Sequence, residues 1–439
     1  MYWAGAHEAA SALFKNAASG KTGAESEISA RARLATINGD YLRAAEHQYQ
    51  RIQRYHSVYA MRDLMGLLSI ISGGEEALAL SHSLTPFLTK PEVWHGSLIA
   101  HRANASSNEQ QIEWVESLKP NSRTHSTADE ARRYHQLVQY SSNYLLMMSF
   151  LDRTTNNLSI ERISNHLQDQ NINLHVPDNI PDTWFSQALV PTSNKPRYWM
   201  LKSLNTRLTA AQSLESLYAG KFEEAEKILN EGILCHDYYD TEEYLWLCAW
   251  TASQTERAES LTTALESKIE DIKVELALYS DPEGRLFDHY VSLAMLYAFD
   301  GRHDEAMNLL YRANADHRYT QGRTFLVRYH LLEVAKILFE ATEEPRYKSF
   351  VLELARNFTV TDPISAYNHS FVAMLSDNRE ERVSSLATLT FMDPASRAIE
   401  LADTQELEEA RKIAENRRSA LTQNVGCLLY TSPSPRDRG

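Results

Sequence analysis

A chain of 439 residues with 43% hydrophobic and 23% charged side chains, and only 15 Gly and 13 Pro, can bury a large core and is too poor in helix breakers to be fibrous or disordered. Its formal net charge of −14 disfavours the basic footprint that a nucleic-acid groove or an anionic membrane surface requires. Three cysteines are too few for a disulfide framework, and no apolar run is long enough to cross a bilayer.

In chain order, the first pattern is GAHEAASALF, in which Gly5 is followed five residues later by Ala10. The same pairing recurs at Gly39 and Ala44, in GDYLRAAEHQY, and at Gly74 and Ala79, at intervals of 34 and 35 residues between glycines. The apolar run YLLMMSFL, Tyr144 to Leu151, has the length of a core helix. Pro177, Pro181, Pro191 and Pro196 then exclude a long helix between Leu174 and Trp199. Trp184, Phe185 and Trp199 in the same stretch predict a packed connector instead of a loose linker. The glycine–alanine pairing returns at Gly220 and Ala225 and at Gly301 and Ala306, and QELEEARKIAEN repeats it with Gln405 in place of glycine.

The clearest helical hairpin is YVSLAMLYAFDGRHDEAMNLLYRA, Tyr290 to Ala313. Tyr290, Leu293, Ala294 and Tyr297 recur at helical spacing, Asp300 and Gly301 form a turn, and Ala306, Leu310 and Ala313 share a face of a second helix. Gly301 can take the positive φ that ends the first helix, and Asp304 and Glu305 complement the dipole of the second. This hairpin resembles the tetratricopeptide (TPR) repeat, with Tyr290 at the usual Trp and Ala294 at the usual Gly. The family's period is about 34 residues, close to the glycine intervals. The resemblance covers about five hairpins. It implies an all-α fold, a right-handed α-solenoid of TPR-like hairpins. The expected organisation is a first array over 1–175, the connector over 176–200 and a second array over 201–426.

Both ends depart from that pattern. Gly5 holds a turn position with no first helix before it, which predicts an array truncated at its start and a possible effector domain upstream. The tail CLLYTSPSPRDRG resembles, over Cys427 to Asp437, the translation of a library-preparation adapter, so residues 427–439 are expected to be non-native.

Chemical motifs are weak. SGKTG, Ser19 to Gly23, lacks the first glycine and the preceding strand of a phosphate loop, and reads as the turn after a helix ended by Gly20. Cys235 and Cys248 lie 13 residues apart in apolar surroundings and are expected to be small buried thiols, which weakly suggests a reducing compartment. Cys235 and His236 point about 100° apart on a helix, a poor metal pair, and no zinc spacing occurs. Asp240 or Thr241 is expected to cap the next helix. Glu223/Glu224, Glu380/Glu381 and Glu408/Glu409 sit at helix starts, where carboxylates serve the dipole, and Trp246 and Trp250 are spaced for core packing. No cofactor, metal or catalytic residue is therefore predicted.

The surface that the resemblance offers is a concave groove lined by the first helices of successive hairpins. Helical phase places Arg207, Ala210, Leu214 and Tyr218, then Asp288, Val291, Met295 and Phe299, on that wall. TPR domains that clamp terminal carboxylates use Lys and Asn there, whereas Ala210, Leu214, Val291 and Met295 hold those places here. The expected occupant is thus an amphipathic helix or an extended apolar segment of a protein partner, with Met295 and Phe299 as anchors. The expected function is a cytoplasmic scaffold that is not an enzyme. The alternative is the sensor half of a larger bacterial signalling protein, a transcription activator or a nucleotide cyclase.

Overall fold

A computed structural model describes residues 7–20, 23–72, 74–84, 91–105, 110, 113–114, 209–210, 212–231, 245–278, 286–315 and 324–430. The described residues form helices joined by short turns, with no strand among them. The chain divides into two units, one made of Met1–Trp114 with Lys348–Gly439 and the other of Val115–Tyr347. The first unit therefore joins the two ends of the chain, where the sequence predicted two consecutive arrays. The connector expected over 176–200 and the run at Tyr144–Leu151 lie outside the described residues.

The first unit contains α1 (His7–Ala18), α2 (Glu25–Ile37), α3 (Tyr41–Tyr55), α4 (Val58–Ser72), α5 (Glu75–Ser83) and α6 (Pro91–Asn104). The second contains a helical stretch at 212–218, then α7 (Phe222–Glu231), α8 (Leu245–Ser253), α9 (Ala258–Leu278), α10 (Leu286–Phe299), α11 (His303–Ala315) and α12 (Thr324–Thr342). The division between the units falls early in α13 (Pro345–Thr361). α14 (Ala366–Leu375), α15 (Arg379–Met392), the short α16 (Arg397–Glu400) and α17 (Thr404–Tyr430) complete the first unit.

Three hairpin turns are built alike. Gly39, Gly220 and Gly301 adopt φ of 73°, 71° and 78°, the left-handed region that only glycine enters without strain. In each, the glycine N–H donates to the carbonyl three residues back, at Thr36, Leu217 and Ala298. The next N–H, from Asp40, Lys221 or Arg302, reaches the carbonyl five back, at Ala35, Ser216 or Tyr297. These bonds satisfy carbonyls that the ending helix would otherwise leave orphaned. The following helix begins two residues after the glycine, so the alanine five residues on falls on its inner face. Ala44, Ala225 and Ala306 are all fully buried. Ala10 and Ala410 are buried as well.

The pairing at Gly74 does not hold. Gly74 has φ of 97°, but α5 starts at the very next residue, which advances the helical phase. Ala77 consequently takes the buried place and Ala79 faces solvent. Gly74 also receives the Asn104 side chain on its carbonyl, Nδ2 to O 2.9 Å, so this turn is closed by α6.

Within the first unit, Ala44 and Ala45 of α3 admit Leu64, Leu67, Leu68 and Ile71 of α4. Val383, Leu386 and Leu389 of α15 and Ala410 and Ala414 of α17 form a second cluster that includes Ile70. Tyr41 and Ile364 pack against both clusters, and α15 and α17 both touch α4. Gly66 in α4 lets Ile364 approach, because a Cβ there would lie 2.7 Å from Ile364 Cγ2. Helix starts are capped by Asp40 on the Arg43 amide, by Asn378 on Glu380 and by Asp403 on Gln405.

Candidate functional site

The predicted wall lies in the second unit. Arg207 is outside the described residues. Ala210, Leu214, Val291 and Met295 are buried to 0%, 2%, 1% and 0% exposure, which leaves these four no face for a ligand in this structure. The periodicity that placed them on a wall is equally that of a core-facing stripe, and α8 and α12 both pack on α10, the helix that carries Val291 and Met295. Asp288 and Phe299 are half-buried, and Tyr218 is 38% exposed. Tyr218 is thus the open position among the seven that are described.

Tyr218 is held by two neighbours that helical phase alone did not identify as partners. Its ring meets Trp250 edge-on, with centroids 5.1 Å apart and planes at 86°, the arrangement favoured by the ring quadrupoles. Its hydroxyl donates to Glu333 Oε1 at 3.3 Å. Glu333 lies on α12 one turn beyond His330, and His330 packs 5.9 Å from the Trp246 ring. Trp246 and Trp250, one turn apart on α8, are themselves buried, as their spacing predicted. The missed signal was in HLLE, His330 to Glu333: two polar groups on one stripe of an otherwise apolar helix. The corner presents an aromatic face and a hydroxyl whose position a buried carboxylate fixes.

A second polar site lies in the first unit, in a shallow recess bordered by Arg33, Gln48, Arg62, Asp63 and Asp362. A ladder of side chains runs beside it across α2, α3 and α4. Arg62 Nε donates to Asp63 Oδ1 at 2.8 Å, and Gln48 Nε2 donates to Asp63 Oδ2 at 3.1 Å. Arg51 donates to Gln48 Oε1 and Glu25 Oε1, each at 2.9 Å, and to Ser57 Oγ at 3.1 Å. The Arg51 guanidinium accordingly holds the Glu25 carboxyl below its usual pKa. Burial, with Arg62 and Arg102 nearby, pushes His95 down to about 4. His101, stacked on Trp114 at 3.9 Å, is pushed to about 4 by burial and by His82. Arg102 pairs with Asp393, joining α6 to the residue that follows α15.

Other predicted features fall as follows. Glu223, Glu224, Glu380, Glu408 and Glu409 are exposed near helix starts, and Glu381 is occupied by Arg356 at 2.7 Å and by Ser376 at 2.6 Å. Helix α1 ends at Ala18 just before Gly20, and Lys21 and Thr22 of SGKTG lie outside the described residues. Cys235, His236, Asp240 and Thr241 are outside the described residues. Cys248 corrects an expectation: it is buried but disulfide-bonded, so the support that unpaired thiols lent to a reducing compartment is withdrawn. Sequence spacing carries no distance between cysteines, and pairing needs their Cα atoms within about 7 Å. Among the described residues no group of three or more His, Cys, Asp or Glu is placed to hold a metal ion, and no helix is long and apolar enough to cross a membrane. Compared with known protein families, curated proteins and solved structures, the chain matches none.

Proposed function

We propose that the chain is a helical-repeat scaffold of the TPR type, a right-handed α-solenoid that binds a helical or extended peptide segment of a protein partner. The observation that carries this reading is the identity of the turns at Gly39, Gly220 and Gly301, with the same φ, the same two capping bonds and the same buried alanine in hairpins far apart in the chain. Packing of α10 against both α8 and α12, in addition to its own hairpin partner α11, is the neighbour-on-neighbour stacking that such arrays use. Recognition on this reading centres on Tyr218, with half-buried Asp288 and Phe299 as further wall positions. An aromatic ring with a fixed hydroxyl suits a peptide, to which it offers both apolar area and a hydrogen bond.

The test is selection of peptides from a display library on the full chain, followed by anisotropy titration. Tyr218→Ala is expected to weaken a selected peptide by about tenfold or more. Tyr311→Ala, at a residue 50% exposed on the second helix of its hairpin, is expected to leave affinity unchanged. Recovery of no saturable peptide, or equal effects of the two substitutions, defeats the proposal.

A further inference from the structure

The turns at Gly39 and Gly301 share a further feature: the residue before the glycine is Asn38 in one and Asp300 in the other, whereas Ala219 precedes Gly220. Asn–Gly and Asp–Gly pairs can close a cyclic imide, because glycine has no side chain to hinder attack by its own nitrogen on the preceding side-chain carbonyl. Asn38–Gly39 is the one Asn–Gly pair in the sequence. Both residues are exposed, and nothing lies within 4 Å of where a Gly39 Cβ would stand, so water reaches the turn. In the folded turn the reaction is blocked twice. The Gly39 N–H donates to the Thr36 carbonyl at 3.0 Å, which ties the attacking nitrogen to the end of α2 and opposes loss of its proton. Asn38 sits at φ −81° and ψ 0°, and the ring closes only when the Gly39 nitrogen eclipses the Asn38 Cβ, a large rotation of ψ away from that value.

We propose that Asn38 is a site of spontaneous deamidation, gated by opening of the turn between α2 and α3. Once the turn opens, the Gly39 nitrogen bonds to Asn38 Cγ, the Cγ–Nδ2 bond breaks, and Nδ2 leaves as ammonia with the proton taken from Gly39. Water then adds to one of the two imide carbonyls. Breakage of the nitrogen's bond to Cγ leaves an aspartyl group, and breakage of its bond to the main-chain carbonyl leaves an isoaspartyl group. The isoaspartyl product puts an extra methylene into the main chain, so the capping bonds from Gly39 to Thr36 and from Asp40 to Ala35 lose their register. The aspartyl product sets a negative charge at the C-terminus of α2, the unfavourable end of its dipole. Either product hinders reclosure, so the turn keeps a chemical record of its own opening. Asp300 forms the same imide by loss of water, more slowly because an ionised carboxylate resists attack, and Ala219 cannot form it. The site depends on the turn alone and is independent of the peptide-binding reading.

The test incubates the full chain at mildly alkaline pH, folded and in guanidinium chloride, and follows the peptide carrying Asn38 by mass spectrometry and by isoaspartate methyltransferase labelling. Conversion is expected to be about tenfold or more faster in the unfolded chain, because reaction through an opened turn is scaled by the population of that opening. Asp40→Ala removes the cap on the Arg43 amide and is expected to raise the folded-state rate about fivefold while leaving the unfolded-state rate unchanged. Equal rates in the two states, no conversion in the unfolded chain, or an unchanged folded-state rate in Asp40→Ala overturns the proposal. Should Asp40→Ala fail to fold by circular dichroism, the two states of the unsubstituted chain decide alone.

Discussion

Alanine at the three repeated turn glycines gives a measurement of backbone strain almost free of packing effects. At Gly39, Gly220 and Gly301 nothing lies within 4 Å of where a Cβ would stand, so alanine adds no collision. It does place an L-residue at φ near 75°, which costs about 1–2 kcal/mol. Restriction of the unfolded chain by the new methyl returns about 0.4–1 kcal/mol, so each substitution should destabilise by about 1 kcal/mol. Asparagine tolerates the left-handed region, and Gly301→Asn should cost less than Gly301→Ala. Gly66→Ala provides the opposite case. Its φ is ordinary, a helix interior favours alanine by about 1 kcal/mol, and the cost comes from Ile364 at 2.7 Å. Ile364→Ala in the same chain should therefore rescue Gly66→Ala and leave the cost of Gly301→Ala untouched. Urea unfolding followed by circular dichroism measures all of these, with Gly39→Ala expected to act on the first unit and the other two turn variants on the second. A neutral Gly301→Ala, or an asparagine as costly as the alanine, refutes the reasoning.

Acid should destabilise the first unit before its carboxylates titrate. His95, His101 and His369 are each held near 4 by burial, whereas in the unfolded chain a histidine takes its proton near 6.5. As pH falls from about 6.5 to 4 the unfolded state gains protons that the folded state refuses, so stability falls by at most about 1.4 kcal/mol per pH unit for each histidine. His369→Gln should flatten the slope of urea midpoint against pH in that window, and an unchanged slope would contradict the assignment. The lowered carboxyls Glu25, held by Arg51, and Glu406, held by Arg382, act in the other window, losing their contribution as pH falls below about 4.5. At the Arg102–Asp393 pair the carboxylate side chain is only 5% exposed, so Arg102→Ala strands a buried charge and should cost roughly 3 kcal/mol. The neutral pair Arg102→Gln with Asp393→Asn should cost less than that single change, and a larger loss in denaturant titration would argue against a buried-charge penalty.

The hairpins were legible because their code is local. A glycine that must take positive φ, a helix that restarts two residues later and an alanine one turn further on are set within a few residues, and Gly39, Gly220 and Gly301 follow that code. Gly74 shows where local reading ends: the same two residue types occur at the same spacing, but contact with Ala103 and Asn104 of α6 lets α5 start one residue sooner, and the buried alanine changes. Four of the expected wall residues are buried for a related reason. Spacing identifies an apolar stripe at Ala210 and Leu214 or at Val291 and Met295, but whether a stripe faces a ligand or another helix depends on partners distant in sequence. Tyr218 and Glu333 make the point: 115 residues separate them, and only the packing of α12 brings the carboxylate under the hydroxyl. Sites in an all-helical chain arise where side chains from different helices meet, so the most informative substitutions lie at those meetings and not within the turns themselves.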